Sequence, residues 1–276
     1  MSIVLIFGAS GSVGRFLLPQ LQPQHHVIAV SRTSRAAGWI AGDLNDQSIA
    51  WPQAEIAISV GPLDAFAAWL QRYPATTLRR VIALSSMSAE SKRESADPHE
   101  RALAECLRVA ESLVMRIAVQ REIACTVFRP TLIYGAGTDR SLAPIARFAR
   151  RWRILPVPLG ARGLRQPVHA QDLAGACAAV MSNSATFGKI YALGGGERLC
   201  FNAMLMRLRD AVPGFVVPLP LPLIALRLAA RWQHGSLFSA SAVARLRESL
   251  IADNADAAGD FGYAPVVFIA RDVLSS

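Results

Sequence analysis

The sequence of 276 residues contains only two lysines, Lys92 and Lys189, among its 29 basic residues. A net charge of +9 would suit nucleic acid or an anionic membrane. The charge is nearly all arginine, however, and no Lys/Arg block with interleaved aromatics occurs, so no nucleic-acid partner is expected. The arginine bias, beside a high alanine content, fits a codon preference. Cysteine is scarce too. Cys106, Cys125, Cys177 and Cys200 stand far apart, with no Cys-x-x-Cys and no Cys/His cluster. That spacing excludes a disulfide framework and predicts no metal site, and it fits a reducing cytoplasm. Long apolar runs are also missing. Phe215 to Ala230 is strongly apolar but is broken by Pro218, Pro220, Pro222 and Arg227, which makes it too short to cross a bilayer. It reads as a packed core or lobe segment, with an apolar substrate wall or a membrane-facing patch as alternatives. Membrane contact is not the expectation. Met1-Ser2 leads directly into an apolar strand with no basic leader, so a cytoplasmic location is expected.

What is present points to an α/β protein. Apolar residues make up 52% of the chain and charged residues 18%, enough to bury a full core. The run Ser2-Ile3-Val4-Leu5-Ile6-Phe7-Gly8-Ala9-Ser10-Gly11-Ser12-Val13-Gly14 carries an apolar strand into three evenly spaced glycines, and a helical pattern follows. A dinucleotide pyrophosphate needs such a backbone. One glycine makes the tight turn, one lets the main chain approach the phosphates, and one lets the helix pack on the strand. The helix N-terminus then offers N–H groups and a positive dipole end to the anion.

Short apolar runs alternate with amphipathic stretches over the first two-thirds, the βαβ pattern of a doubly wound parallel sheet. Strands are predicted at Ile3–Phe7, His26–Val30, Glu55–Val60, Arg80–Leu84, Ala124–Phe128 and Lys189–Leu193. Helices are predicted at Val13–Leu21, Ala65–Arg72, Pro98–Arg116, Ser141–Arg151 and Ala170–Met181, with Pro19 kinking or shortening the first. From Gly194 the pattern becomes mainly helical, at Phe201–Ala211, Leu221–Trp232 and Ser239–Ile251. The expected organisation is a Rossmann core over 1–193, with 136–165 contributing to a substrate cleft, and a small substrate-side lobe over 194–276.

The end of the second predicted strand reads Ile28-Ala29-Val30-Ser31-Arg32-Thr33-Ser34-Arg35. An NAD site usually places a carboxylate there for the ribose 2′-hydroxyl. Here there is none, and Arg32 and Arg35 can grip a 2′-phosphate, so NADP is favoured over NAD. Both arginines also have a plainer reading as solvated surface residues. Asp43, in Gly42-Asp43-Leu44, either accepts from the adenine amino group or caps the next turn.

Several further segments follow in order. They are Gly42-Asp43-Leu44, Leu84-Ser85-Ser86-Met87-Ser88, Phe128-Arg129-Pro130-Thr131-Leu132-Ile133-Tyr134-Gly135 and Arg165-Gln166-Pro167-Val168-His169-Ala170-Gln171-Asp172-Leu173-Ala174. Near the end come Arg245-Leu246, Asp253 and Phe261-Gly262-Tyr263-Ala264-Pro265. With the glycine turn, these resemble the short-chain dehydrogenase/reductase superfamily, in its extended form of nucleoside-diphosphate-sugar epimerases and dehydratases. The resemblance covers most of the chain and implies a Rossmann sheet that binds a nicotinamide dinucleotide. It implies a cofactor site drawn from Gly8, Ser10, Gly11, Ser12, Val13, Gly14, Ser31, Arg32, Arg35, Asp43, Leu44, Val60, Gly61, Ser85 and Pro130.

The family's chemistry uses a Tyr-x-x-x-Lys pair and a strand-end serine or threonine. Ser86 matches the serine. Glu111 matches the family's glutamate further along the helix, which puts Leu103 and Leu107 where the tyrosine and lysine belong. None of Tyr73, Tyr134, Tyr191 and Tyr263 lies on that helix. The resemblance is therefore to atypical members, some of them reductases with other residues and some of them nucleotide sensors or structural subunits. His99 is a candidate proton-transfer group, or a solvated residue at a helix start. Tyr134 is a second candidate, or a packing tyrosine. Arg165 matches the arginine that binds the diphosphate in related epimerases, or it pairs with a carboxylate such as Asp172. Arg140 is expected to line the same cleft. The substrate expected is a small molecule, a nucleotide-sugar or a partly apolar ligand, and relatives commonly form homodimers. Three functions are carried forward. They are an NADP-dependent oxidoreductase or sugar-nucleotide-modifying enzyme with non-standard acid–base residues, a catalytically inactive NADPH-binding regulator, sensor or assembly factor, and a lipid-surface protein.

Overall fold

The computed structural model describes residues 1–274 other than 33–37, 75, 136, 138, 140 and 225–244. They form two compact units. The first comprises Met1–Pro130, Ala170–Leu193 and Asp253–Ala264, and the second Thr131–His169, Gly194–Ala252 and Pro265–Ser276.

The first unit is built on β1 (Ile3–Phe7), β2 (His26–Ser31), β3 (Trp39–Ala41), β4 (Ile56–Ser59), β5 (Arg80–Leu84), β6 (Ala124–Pro130) and a last strand at Lys189–Leu193. All pair in parallel, in the order last strand, β6, β5, β4, β1, β2, β3. This is the doubly wound α/β fold expected. The unbroken apolar run of β1 is what a central parallel strand needs, since both its faces are covered. Leu5 pairs with Ile28 on one side and Ala57 on the other. The chain therefore reverses direction across the sheet between β3 and β4, and the switch point falls between β1 and β4, where open α/β sheets bind ligands.

Helices α1 (Gly14–Leu21), α2 (Leu63–Arg72), α3 (Ser88–Ser91) and α4 (Pro98–Gln120) follow β1, β4 and β5. Pro19 lies inside α1, which is eight residues long. In α2, Asp64 stands in the first turn and Arg72 in the last, matching the helix dipole. Its buried face carries Phe66 and Trp69, and the Trp69 ring lies 4.5 Å from Phe7 and 4.5 Å from Tyr73. Val114, Ile117 and Ala118 of α4 join the same core. That apolar face carries α4 past the expected end at Arg116. Pro98 opens α4, and the Asp97 carboxylate accepts from the His99 amide at 2.9 Å. Just beyond α4, Arg121 donates to the carbonyls of Leu70, Gln71 and Tyr73, each at 2.9 Å, and so satisfies the open C-terminal end of α2.

The second unit holds β7 (Ile133–Tyr134), α5 (Leu142–Trp152), β8 (Ile154–Leu159), β9 (Leu164–Arg165) and β10 (Val168–His169). The chain then returns to the first unit for α6 (Ala170–Ala179) and the seventh strand, β11 (Lys189–Leu193). The second unit resumes with β12 (Leu199–Cys200), α7 (Phe201–Ala211) and β13 (Val217–Pro222). Its core is Tyr134, Leu142, Leu155, Met204, Leu208 and Phe268 with their neighbours. The Asp139 carboxylate accepts from the amides of Ser141, Leu142 and Ala143 and caps α5.

Two expected helices differ. Leu221 and Pro222 end the strand β13, which runs parallel to β8, while residues 225–232 lie outside the described residues. The alternation Val-Pro-Leu-Pro-Leu-Pro explains the strand, because each proline drives the residue before it into extended backbone. Of Ser239–Ile251, residues 239–244 lie outside the described residues and Arg245–Arg247 form one 3-10 turn. Leu250 then donates its amide to the Leu164 carbonyl at 2.8 Å, so this stretch joins β9 instead of continuing as a helix.

Cys125 on β6 and Cys177 on α6 are buried, and burial pushes each thiol from 9.0 up to about 12, with Arg80 pulling the other way. In the unfolded chain these thiols ionise from pH 9, while the folded chain keeps them protonated. Stability is therefore intact below pH 9 and falls as pH rises from 9 to about 12, by roughly 1 kcal/mol per pH unit for each thiol. Urea unfolding across this alkaline range is expected to show a shallower decline for Cys125→Ala/Cys177→Ala than for the native chain. An unchanged slope would refute it.

Candidate functional site

The glycine turn joins β1 to α1 at the switch point. Gly8 has φ +79°, and a Cβ there would stand 3.0 Å from the Gly61 amide nitrogen, because the loop after β4 approaches it backbone to backbone. The Gly11 amide donates to the Gly8 carbonyl at 2.9 Å and closes the turn. A Cβ on Gly14 would lie 2.5 Å from both the Gly8 and Ala9 carbonyl oxygens. Thus Gly8 is held by its conformation and Gly14 by close packing. The start of α1 at Val13 has no side-chain cap and no acidic residue in its first turn. The chain leaves that positive end for an anion, which suits a pyrophosphate. A tight glycine turn in front of an uncapped helix start fits a dinucleotide.

On the neighbouring strand, the Ser31 hydroxyl is 2.9 Å from that of Ser10, tying the end of β2 to the glycine turn. Arg32 is exposed just beyond, and Arg35 lies outside the described residues. Asp43 is exposed and its carboxylate accepts from the Asn45 amide at 2.9 Å. That bond forms a turn and leaves the other carboxylate oxygen as an acceptor. Leu44 is buried in the core of the unit, and the Val60 amide donates to the Phe7 carbonyl at 3.0 Å, which sets Val60 and Gly61 beside Gly8.

The ends of β5 and β6 are locked together. The Ser85 amide donates to the Phe128 carbonyl at 2.7 Å and the Met87 amide to that of Pro130 at 2.9 Å. The Ser85 hydroxyl donates to Glu111 at 2.5 Å. Arg129 forms a two-pronged pair with Glu111 at 2.9 and 2.5 Å, and its third nitrogen reaches Glu90 at 2.9 Å. The hydrogen bonds to Glu111 raise the Arg129 pKa. Ser86 lies between the locked residues, and its hydroxyl accepts from the Ser88 amide at 3.1 Å. Leu107 and Leu103 stand one and two helical turns before Glu111 on α4, and Leu103 is 43% exposed. Glu90 is the member of this network that sequence reading did not single out, and its spacing to Arg129 carries no local signal.

The candidate proton-transfer groups are scattered. Tyr134 is fully buried in the second unit, with its hydroxyl 3.4 Å from the Val267 carbonyl and accepting from the Ile269 amide at 3.0 Å. Its ring meets His169 and Phe268 edge-on. His99 is exposed in the first turn of α4, about 18 Å along the helix axis from Glu111. Arg165 is buried, and its guanidinium donates to the carbonyls of Leu164 at 2.8 Å, Glu248 at 2.6 Å and Arg245 at 2.9 Å. Its partners are thus backbone oxygens, and burial lowers its pKa. Arg140 lies outside the described residues. Among the described residues no cluster of metal-ligating side chains occurs.

No family model and no curated protein matches the sequence. Solved structures do match, over nearly the whole chain. The Pseudomonas aeruginosa protein RMD, solved with NADPH, superposes with a TM-score of 0.71 at 16% identity, covering 100% of this chain and 97% of that one. A short-chain dehydrogenase/reductase superfamily protein from Agrobacterium tumefaciens with bound NAD gives 0.70 at 13% identity, covering 99% and 95%. The chain shares the doubly wound α/β fold of these structures. UDP-glucuronic acid 4-epimerase from Bacillus cereus, in complex with UDP-glucuronic acid and NAD, gives 0.73 at 13% identity, covering 99% and 97%.

Two expectations follow from this geometry. Gly14→Ala must displace main chain and is expected to cost about 1–3 kcal/mol. Gly175→Ala on α6, where a Cβ meets nothing within 4 Å, is expected to be neutral or to stabilise by about 0.4–1 kcal/mol. Equal urea midpoints for the two variants would contradict the steric reading of Gly14. Glu111→Ala strips Arg129 of its buried partner but leaves it Glu90, and is expected to cost about 1–3 kcal/mol in the same assay. A loss below about 1 kcal/mol would mean that Glu90 and water replace it fully.

Proposed function

We propose that this chain binds NADP, with the pyrophosphate at the Gly8–Gly14 turn and the 2′-phosphate at Arg32 and Arg35. The observation that carries the reading is the backbone cradle of Gly8, Gly14 and Gly61 in front of the uncapped start of α1. The absence of a carboxylate at the end of β2, together with the exposure of Arg32, supports NADP over NAD. Bound NADP would supply a hydride acceptor, or NADPH a donor. The proposed use is as an oxidoreductase or a sugar-nucleotide-modifying enzyme in which Ser86 hydrogen-bonds the reacting oxygen. The proton would be exchanged with solvent, because the buried Tyr134 hydroxyl already has backbone partners and His99 stands at the far end of α4. Arg165 receives a structural role in this reading, holding backbone 245–248 in place.

A second reading, an NADPH-binding regulator or sensor without turnover, is supported by Leu103 and Leu107. Leucine can neither donate a proton nor hold the nicotinamide ribose, so the nicotinamide end of the site offers shape without acid–base chemistry.

Calorimetric titration of the cofactor-free chain with NADPH, and with NADH as the pair, tests the proposal. NADPH is expected to bind more tightly, and Arg32→Ala to reduce its advantage at least about tenfold. Failure of both dinucleotides to bind would overturn the proposal. Once binding is seen, substrate-dependent loss of NADPH absorbance that Ser86→Ala weakens selects the enzyme, and its absence across nucleotide-sugars and small carbonyl compounds selects the sensor.

A further inference from the structure

The surface of the second unit where α5 ends and the β8–β13 ladder begins carries apolar and basic side chains together. Trp152, the last residue of α5, is 60% exposed, and Phe215, just ahead of β13, is 82% exposed. The backbone brings them to one place. The Val217 amide donates to the Arg153 carbonyl at 2.9 Å, the Arg153 guanidinium donates to the Pro213 carbonyl at 2.5 Å, and Ile154 stands opposite Val217 in register. Ile154 and Val217 are exposed as well, while their neighbours Leu155 and Val216 turn into the core. Single exposed apolar residues are ordinary on a protein surface, but a contiguous set is a contact surface.

α5 supplies the charge. It buries Leu142, Ala143, Ala146 and Ala149 and exposes Arg150 and Arg151. Among the described residues neither arginine has an ion pair. The Arg151 guanidinium lies 5.6 Å from the centre of the Trp152 ring. An occupant of this surface must therefore accept aliphatic and aromatic side chains and offer negative charge beside them. A single-stranded nucleic acid would use the arginines and stack on Trp152, but it would leave Ile154 and Val217 without a partner. An anionic bilayer satisfies all of them, since aromatic rings favour the headgroup level, aliphatic side chains the acyl boundary and arginines the lipid phosphates.

We propose that this edge of the second unit docks on the surface of an anionic lipid bilayer, with Trp152 and Phe215 entering the headgroup region and Arg150 and Arg151 holding lipid phosphates. The docking is peripheral, since no helix among the described residues is long and apolar enough to cross a membrane. It draws on no residue of the dinucleotide turn and stands independently of the NADP reading.

The test is sedimentation of the full chain with vesicles of phosphatidylcholine alone and with roughly one-third phosphatidylserine. The chain is expected to sediment with the anionic vesicles and to release at high salt. Arg150→Gln/Arg151→Gln is expected to weaken binding about twenty-fivefold, from about fivefold per arginine. Trp152→Ala/Phe215→Ala is expected to weaken it at least about tenfold. Both variants should keep the native unfolding midpoint, because all four side chains are exposed. Equal sedimentation with phosphatidylcholine alone, or variants that sediment like the native chain, would overturn the proposal. So would a single-stranded RNA that displaces the vesicles, or a dimer in gel filtration that Trp152→Ala/Phe215→Ala dissolves.

Discussion

The tight backbone approach at Gly8 and Gly14 is the constraint on which the other features of the first unit depend. A side chain at Gly14 would occupy the space of two carbonyl oxygens, and one at Gly8 would press on the loop after β4. Only with Gly8 and Gly14 bare can α1 start directly behind β1 while the loop after β4 lies alongside. That arrangement produces the switch point, points an uncapped helix start at it and aligns Ser31 with Ser10. The anion site follows from packing as much as from electrostatics. A substitution at Gly14 would disturb the packing of α1 on β1 and the proposed dinucleotide site together.

The two ends of the candidate cofactor site have different fates. The phosphate end keeps every element that the fold needs for an anion. The far end has Ser85, Glu111, Arg129 and Glu90 tying β5, β6 and α4 into one network, and α4 carries Leu107 and Leu103 one and two turns before Glu111. The network does mechanical work that needs no chemistry. Removing one member of a buried ion pair strands the other charge, so such a pair resists loss even where catalysis does not require it. The Glu111–Arg129 pair therefore sets the geometry of the strand ends and is silent on turnover.

Much of the first unit was legible from sequence because its signals are local. β1, β5 and β11 occupy the residues predicted, each being a short apolar run ended by turn residues. The glycine spacing located the turn, and Asp97-Pro98 located the start of α4. The second unit resisted the same reading. Leu-Pro-Leu-Pro-Leu carries the hydrophobicity of a helix face, yet proline's restriction on its predecessor made its first part a strand, an effect that hydropathy alone does not register. The surroundings of Tyr134 and Arg165 were illegible for another reason. Their partners, Val267, Ile269 and the carbonyls of 245–248, are backbone groups from far along the chain, and any residue type could have supplied them.

The excess of arginine also divides in a way that composition hides. Arg80 is buried at the start of β5, where it donates to Thr126 at 2.6 Å and the Val180 carbonyl at 2.8 Å and lies over the Phe187 ring, and burial lowers its pKa to about 10. Arg121 and Arg165 likewise spend their donors on carbonyls. A planar guanidinium can bind several carbonyls at once without a carboxylate, which an ammonium does less well. A chain with 29 basic and 20 acidic residues can therefore absorb part of its surplus internally, as connectors between strands, helix ends and loops. The surplus that matters for partners is what is left outside, unpaired and beside apolar surface. Arg150 and Arg151 next to Trp152 meet that description, which gives the net charge a location that the sequence total could not.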